Sequence, residues 1–143
     1  LPQARSASVV KASGRVMFPI YSYNYIAMAT RAPATQLRVI LREGVAFGPG
    51  KAQLLEGIRA TGSIAAAGRG MKMSYSRAWG LVEAMNKEFR GPLVESAKGG
   101  AAHGGATLTT LGERVLACYR RMEATATRAV AADLAELRRS AGR

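Results

Sequence analysis

Apolar positions along the chain change their spacing several times, and each change predicts an element. Between Gly62 and Phe89, Ile64, Ala67 and Met71 recur at i, i+3 and i+7, the apolar face of a short helix. Ser63 stands just before it, where a serine hydroxyl can accept a free backbone N–H of the first turn. After a tight turn, Ala78, Trp79, Val82, Met85 and Phe89 repeat with helical spacing and predict a second helix with a buried stripe. Ser74 is placed to cap it. That spacing puts Trp79 in the core with Val82 and Met85, away from Tyr75 and Arg77. Tyr75, Ser76 and Arg77 begin the opposite face, at the helix N-terminus.

The flanking segments frame this pair. Leu37–Leu41 reads as a short strand, and the glycine-containing residues 42–50 as a loop that ends at Lys51. Lys51–Gly62 predicts a helix with Leu54, Leu55 and Ile58 on one face and Gly62 as its C-terminal cap. Gly91 and Pro92 end the third helix, after which Leu93–Ala97, a glycine-rich tip over 98–106 and Thr107–Thr109 predict a β-hairpin. Behind three helices, such a hairpin is a wing, with Lys98 and His103 near its tip. From Thr109, a good cap, one long helix is expected through Arg139, with Leu111, Val115, Leu116, Tyr119 and Met122 on its apolar face and Cys118 as a packing residue. Val130, Leu134 and Leu137 continue the stripe beyond what so small a domain can cover, which calls for a partner such as a second copy. A solvated alanine-rich helix is the alternative.

The beginning of the chain is different. Leu1–Arg15 is rich in Ala, Ser, Lys and Arg without period, the composition of a flexible basic tail, and Tyr21, Tyr23 and Tyr25 then alternate as in a strand. The expected organisation is a flexible basic arm over 1–35, a winged helix-turn-helix over 36–110 and a C-terminal dimerisation helix over 111–143. The fold class is mainly α with a small β wing.

Charge narrows the function. The 143 residues carry a formal net charge of +12, which favours a polyanionic partner: nucleic acid first, an anionic membrane surface as the rival. Cys118 is the single cysteine, so no intrachain disulfide forms, and the composition suits a reducing cytoplasm. His103, the single histidine, lies in the glycine-rich tip, a poor place to hold a catalytic geometry or complete a zinc site. No enzyme, catalytic residue, metal or cofactor is expected. Neither GxxxxGK[ST] nor GxGxxG is present, so the glycines do not predict a nucleotide loop. The most apolar stretch, Val16–Thr30, contains Pro19 and falls short of the ~20 apolar residues of a membrane span. No membrane partner is expected.

A recognition helix sets its N-terminal residues against base edges while the preceding helix crosses the backbone. Arginine pairs bidentately with guanine, and serine bonds either base type. Hydroxyls and one arginine, as at Tyr75, Ser76 and Arg77, suit that position. An ordinary helical hairpin would show the same apolar pattern.

The order strand, three helices, wing and long helix resembles the N-terminal DNA-binding domain of ModE-type, molybdate-responsive regulators. The marks are TGSIAAAG at Thr61–Gly68, MSYSRAW at Met73–Trp79, LVEAMN at Leu81–Asn86, PLVE at Pro92–Glu95, the wing Gly99–Gly105 and LTTLGERVL at Leu108–Leu116. LysR-type regulators carry a related winged helix, but the SYSRAW string is more similar to ModE. The resemblance covers roughly Leu37–Glu123. It implies a homodimeric, sequence-specific transcription regulator of double-stranded DNA, with Ser74–Arg77 at the DNA-facing helix start, Ser63 at the start of the preceding helix and Lys98 at the wing. On that basis base readout is expected from Tyr75, Ser76 and Arg77, and backbone positioning from Ser63, Arg69, Lys72, Ser74 and Lys98, with His103 at the wing. Regulation of molybdate or metal-uptake genes goes with it. Two departures stand out. Lys72 occupies a turn position where the family usually has glycine, and because a lysine at positive φ costs energy the expectation is a differently shaped turn, or a charge that helps with a phosphate. The chain also ends at Arg143, so the expectation is a DNA-binding domain without the molybdate-binding domains. The alternatives are a nonspecific architectural DNA-binding protein and a protein-interaction module.

Overall fold

The computed structural model describes residues 10–12, 15–17, 35–97 and 105–142. The chain divides into two units, Leu1–Pro33 and Ala34–Arg143. In the first, strands β1 (Val10–Ala12) and β2 (Arg15–Met17) pair antiparallel, with Val10 opposite Met17 and Ala12 opposite Arg15. This hairpin replaces part of the expected structureless tail. Valines at Val10 and Val16 favour extended backbone, and strands this short leave no period to detect. The strand-like alternation of Tyr21, Tyr23 and Tyr25 lies outside the described residues.

The second unit is mainly helical with small two-stranded sheets. It opens on β3 (Val39–Arg42) and β4 (Val45–Phe47), paired antiparallel with a register shift between Ile40 and Arg42. Strand β4 lies in the segment expected to be loop. Gly44, at φ 74°, turns the chain, and Phe47 is drawn inward because its ring meets Phe89 and Tyr119 edge-on, at centroid distances of 6.2 and 5.2 Å.

Helix α1 (Pro49–Thr61) begins two residues before the expected Lys51, with Pro49 in the first turn, where a missing N–H costs nothing. Ala52, Leu54, Leu55 and Ile58 are fully buried. Gly62 ends it in the left-handed conformation, donating its N–H to Ile58 O at 2.7 Å. Helices α2 (Ile64–Gly70) and α3 (Tyr75–Glu88) follow. They pack so closely that a methyl group on Gly68 would lie 2.8 Å from the Ala78 Cβ, and one on Gly57 in α1 would lie 2.9 Å from the Ala67 Cβ. These two glycines let the three helices nest, and side chains there would push them apart.

The wing consists of β5 (Val94–Ser96) and β6 (Ala106–Leu108), antiparallel, with Val94 opposite Leu108. Asn86 locks it to α3: its Oδ1 accepts from the backbone N–H of Leu93 (2.8 Å) and of Val94 (3.1 Å), and its Nδ2 donates to Val94 O at 3.0 Å. On the other side, Ala106 N–H donates to Gly62 O at 2.7 Å, joining the wing to the end of α1.

Thr109 caps α4 (Thr110–Ala129), its Oγ1 accepting from Gly112 N–H at 3.0 Å and donating to Pro92 O at 2.7 Å. Leu116 and Tyr119 enter the core, while Cys118 points outward and is exposed. The expected packing role of Cys118 is not realised: one position before Tyr119, it falls off the buried face. The single long helix is also broken. Val130, at ψ 4°, separates α4 from α5 (Ala131–Ser140), and the β-branched residues Thr125, Thr127 and Val130 weaken helix propensity at that point. No described side chain of α5 is buried.

Behind the core, Arg120 in α4 donates from Nε and Nη2 to both carboxylate oxygens of Glu56 in α1, at 2.7 and 2.8 Å, and from Nη1 to Glu123. Burial works against the guanidinium's charge, but the bonds to Glu56 and Glu123 outweigh it and hold the pKa above its ordinary value.

Candidate nucleic-acid interface

Both serine caps form as the spacing predicts. Ser63 Oγ accepts from Ala66 N–H at 3.1 Å, and Ser74 Oγ accepts from Arg77 N–H at 3.2 Å. Between them the chain ends α2 in a Schellman turn: Met73 N–H donates to Gly68 O and Lys72 N–H to Arg69 O, each at 3.0 Å. The position that requires positive φ is Lys72, at 56°. The turn therefore keeps its left-handed geometry with a lysine in place, and the different shape expected from a lysine at this position is not adopted.

This turn aims α3. Ser74, Tyr75, Ser76 and Arg77 are all exposed at its N-terminus, with Lys72 and Arg69 exposed just before them. No acidic residue lies in the first turn of α3. Three cations of the unit are engaged by carboxylates: Lys51 with Glu88 at 2.7 Å, Arg59 with Glu113 at 3.0 Å, and Arg120 with Glu56 and Glu123. Among the described residues, no salt bridge involves Arg69, Lys72 or Arg77. The result is a cluster of hydroxyls and unneutralised cations around a helix start whose first N–H groups have no intrahelical acceptor. Such a cluster suits phosphates and base edges.

The residues divide by face. Tyr75 is 62% exposed, with its ring edge against Trp79 at 6.0 Å between centroids. Trp79 is therefore not away from Tyr75. Residues four apart on a helix are neighbours, and Trp79 is half-buried, packed on the core from one side and touching Tyr75 on the other. Its indole N–H is buried without a hydrogen-bond partner among the described residues. Arg77 lies on the other flank with Leu81, at a shallow pocket that also takes in Arg38 and Met73. Ser63 is half-buried and its hydroxyl is occupied by the cap. Lys98 and His103 lie outside the described residues.

The sequence reading stopped at the first turn of α3, whereas its outward strip continues through Gly80, Glu83 and Lys87, all exposed. Counting on from Ser76 at helical spacing would have found them. Arg38, beside β3, was also missed, because only folding brings it near Arg77. Among the described residues there is no group of acidic, histidine or cysteine side chains able to hold a metal ion, and no helix is long and apolar enough to cross a membrane.

A three-helix core with a hairpin behind it and a basic, hydroxyl-rich helix start is a helical scaffold with small sheets, built to present one helix. Its relatives place it. No family model matches the chain. The molybdenum-pterin-binding protein MopB of Rhodobacter capsulatus is 45% identical over 86 residues, 60% of this chain and 32% of that protein. The transcriptional regulator ModE of Haemophilus influenzae is 40% identical over 89 residues, 62% of this chain and 35% of that protein. The DNA-binding transcriptional dual regulator ModE of Escherichia coli K12 is 35% identical over 83 residues, 58% and 32% of the two chains. Over this segment the chain is homologous to the ModE-type regulators and to the Mop proteins, and the homology implies a winged helix-turn-helix. The chain spans about a third of the length of these relatives. They are named as regulators and binding proteins, and none as an enzyme.

Proposed function

We propose that this protein is a sequence-specific, double-stranded-DNA-binding transcription regulator of the ModE-like winged-helix type, acting as a cytoplasmic homodimer on molybdenum-uptake or related metal-uptake genes. The observation that carries the reading is the start of α3, where Ser74–Arg77 stand exposed beside Arg69 and Lys72, cations that no carboxylate among the described residues pairs with. Tyr75, Ser76 and Arg77 read base edges. Ser63, Arg69, Lys72 and Ser74 position the duplex through its phosphates, and Lys98 and His103 do so from the wing. Met122, Val130 and Leu137 are exposed along α4 and α5, and they supply the apolar surface for the second copy. Two recognition helices related by a two-fold axis would then meet successive major grooves about one helical turn apart.

The test is selection of bound sequences from a randomised duplex pool near physiological salt, repeated with variants. An enriched inverted repeat is expected. Arg77→Ala should lose about 1–3 kcal/mol of discrimination at one base position, whereas Lys98→Ala should weaken all sequences alike and reduce the salt slope by about 1. Retention without an enriched motif would replace this reading with a nonspecific architectural role. No retention would redirect attention to α4 and α5 as a protein-interaction surface.

A further inference from the structure

Six of the described glycines lie within helices of the second unit: Gly50, Gly57, Gly68, Gly70, Gly80 and Gly112. Five have an internal explanation. Gly57, Gly68 and Gly112 each face an atom that a methyl group would strike: the Ala67 Cβ, the Ala78 Cβ and the Leu93 carbonyl oxygen. Gly50 stands in the first turn of α1 and Gly70 is the last residue of α2, where helix ends tolerate glycine. Gly80 has no such reason. It is the sixth residue of the fourteen in α3, it is exposed, and nothing lies within 4 Å of where its Cβ would be. A glycine in that position weakens the helix and fills no packing need.

Its place on the helix supplies the missing reason. Gly80 is one turn beyond Ser76 on the outward strip, with Glu83 and Lys87 following. We infer that Gly80 sets the depth at which α3 seats in the major groove: without a side chain, the duplex base edges reach the helix backbone at this turn, and Ser76 is brought into bonding range. Glycine is used where backbone and ligand approach closely, and the occupant here is duplex DNA, for which the chain's +12 charge and the exposed cations Arg69, Lys72 and Arg77 at the head of α3 are complementary. The inference rests on the DNA-binding reading above. It adds that a residue contributing no side chain controls affinity.

Two measurements on Gly80→Ala and Gly80→Leu decide it: thermal unfolding, and titration of the duplex selected by the unsubstituted protein. Alanine should raise Tm by about 3–6 °C, because an exposed helix interior is restored, while affinity for the selected duplex falls about fivefold or more. Leucine should fall further, in proportion to its bulk. The slope of affinity against salt should not change, since no phosphate contact is removed. Unchanged affinity in a stabilised Gly80→Ala variant would overturn the inference and leave the DNA reading intact. A loss of affinity accompanied by a drop in Tm would overturn it as well, because damage to the helix would explain the loss. Failure of the unsubstituted protein to select any duplex would overturn the DNA reading, and this inference with it.

Discussion

Lys72 shows what a single backbone angle implies. At φ 56° it holds the left-handed position of the turn between α2 and α3, where an L side chain costs about 1–2 kcal/mol. Lys72→Gly should therefore stabilise the fold, by about 0.5–1 kcal/mol after the greater freedom of glycine in the unfolded chain is subtracted. If its ammonium meets a phosphate, the same change should weaken DNA binding and lower the salt slope by about 1. Urea unfolding and salt-dependent titration of one variant read both effects, and a gain in stability with unaltered binding would remove Lys72 from the interface. At this scale the sequence was informative wherever the chemistry is local. The caps by Ser63, Ser74 and Thr109 all form, since a hydroxyl three residues before a free N–H needs no distant partner. Trp79 packs on the core as its spacing indicates, but its contact with Tyr75 and the outward position of Cys118 do not follow from the pattern, because apolar spacing identifies a stripe but not its edges.

At the scale of elements, the wing is held against α3 by a single side chain. Two sheet strands of three residues each cannot stand alone. Asn86 in α3 substitutes for a third strand, taking two backbone N–H groups of the wing and giving one bond back. Asn86→Ala leaves the N–H groups of the buried residues Leu93 and Val94 without acceptors, at a cost of about 2–3 kcal/mol. The expected sign is faster amide exchange at β5 and β6 along with a lower unfolding midpoint. A lowered midpoint with unchanged wing exchange would mean that Asn86 supports only α3. The hairpin itself was legible from its glycines and breakers, but the clamp was not, because Asn86 and Val94 meet only once α3 has ended and the chain has turned. Strand β4 escaped for a similar reason: Phe47 makes it a strand by packing on Phe89 and Tyr119.

For the second unit as a whole, Tyr119 ties the entry of the chain to α4. Its hydroxyl donates to Leu37 O at 2.7 Å. Burial, and then the nearby Glu123 carboxylate, push its pKa from 10.0 up to about 12. The fold therefore favours the neutral phenol. That contribution to stability is fully present below pH 10.0 and is lost as pH rises towards about 12. Urea midpoints followed across this alkaline window should fall more steeply for the native protein than for Tyr119→Phe, which has no proton to lose. Parallel curves would show that the phenol's environment does not distinguish folded from unfolded chain.

Taken alone, the amino-acid sequence determined the order of the helices, their caps, the wing's place behind them and the cationic, hydroxyl-bearing start of α3. All of these follow from periodicity and from bonds made within a few residues. Tertiary structure decided the rest: that β4 pairs with β3, that α4 breaks at Val130, that Tyr75 lies against Trp79, and that Gly80 faces open space while Gly57 and Gly68 face methyl groups. These depend on which distant surfaces meet, and a one-dimensional pattern records the need for burial without recording the partner that satisfies it.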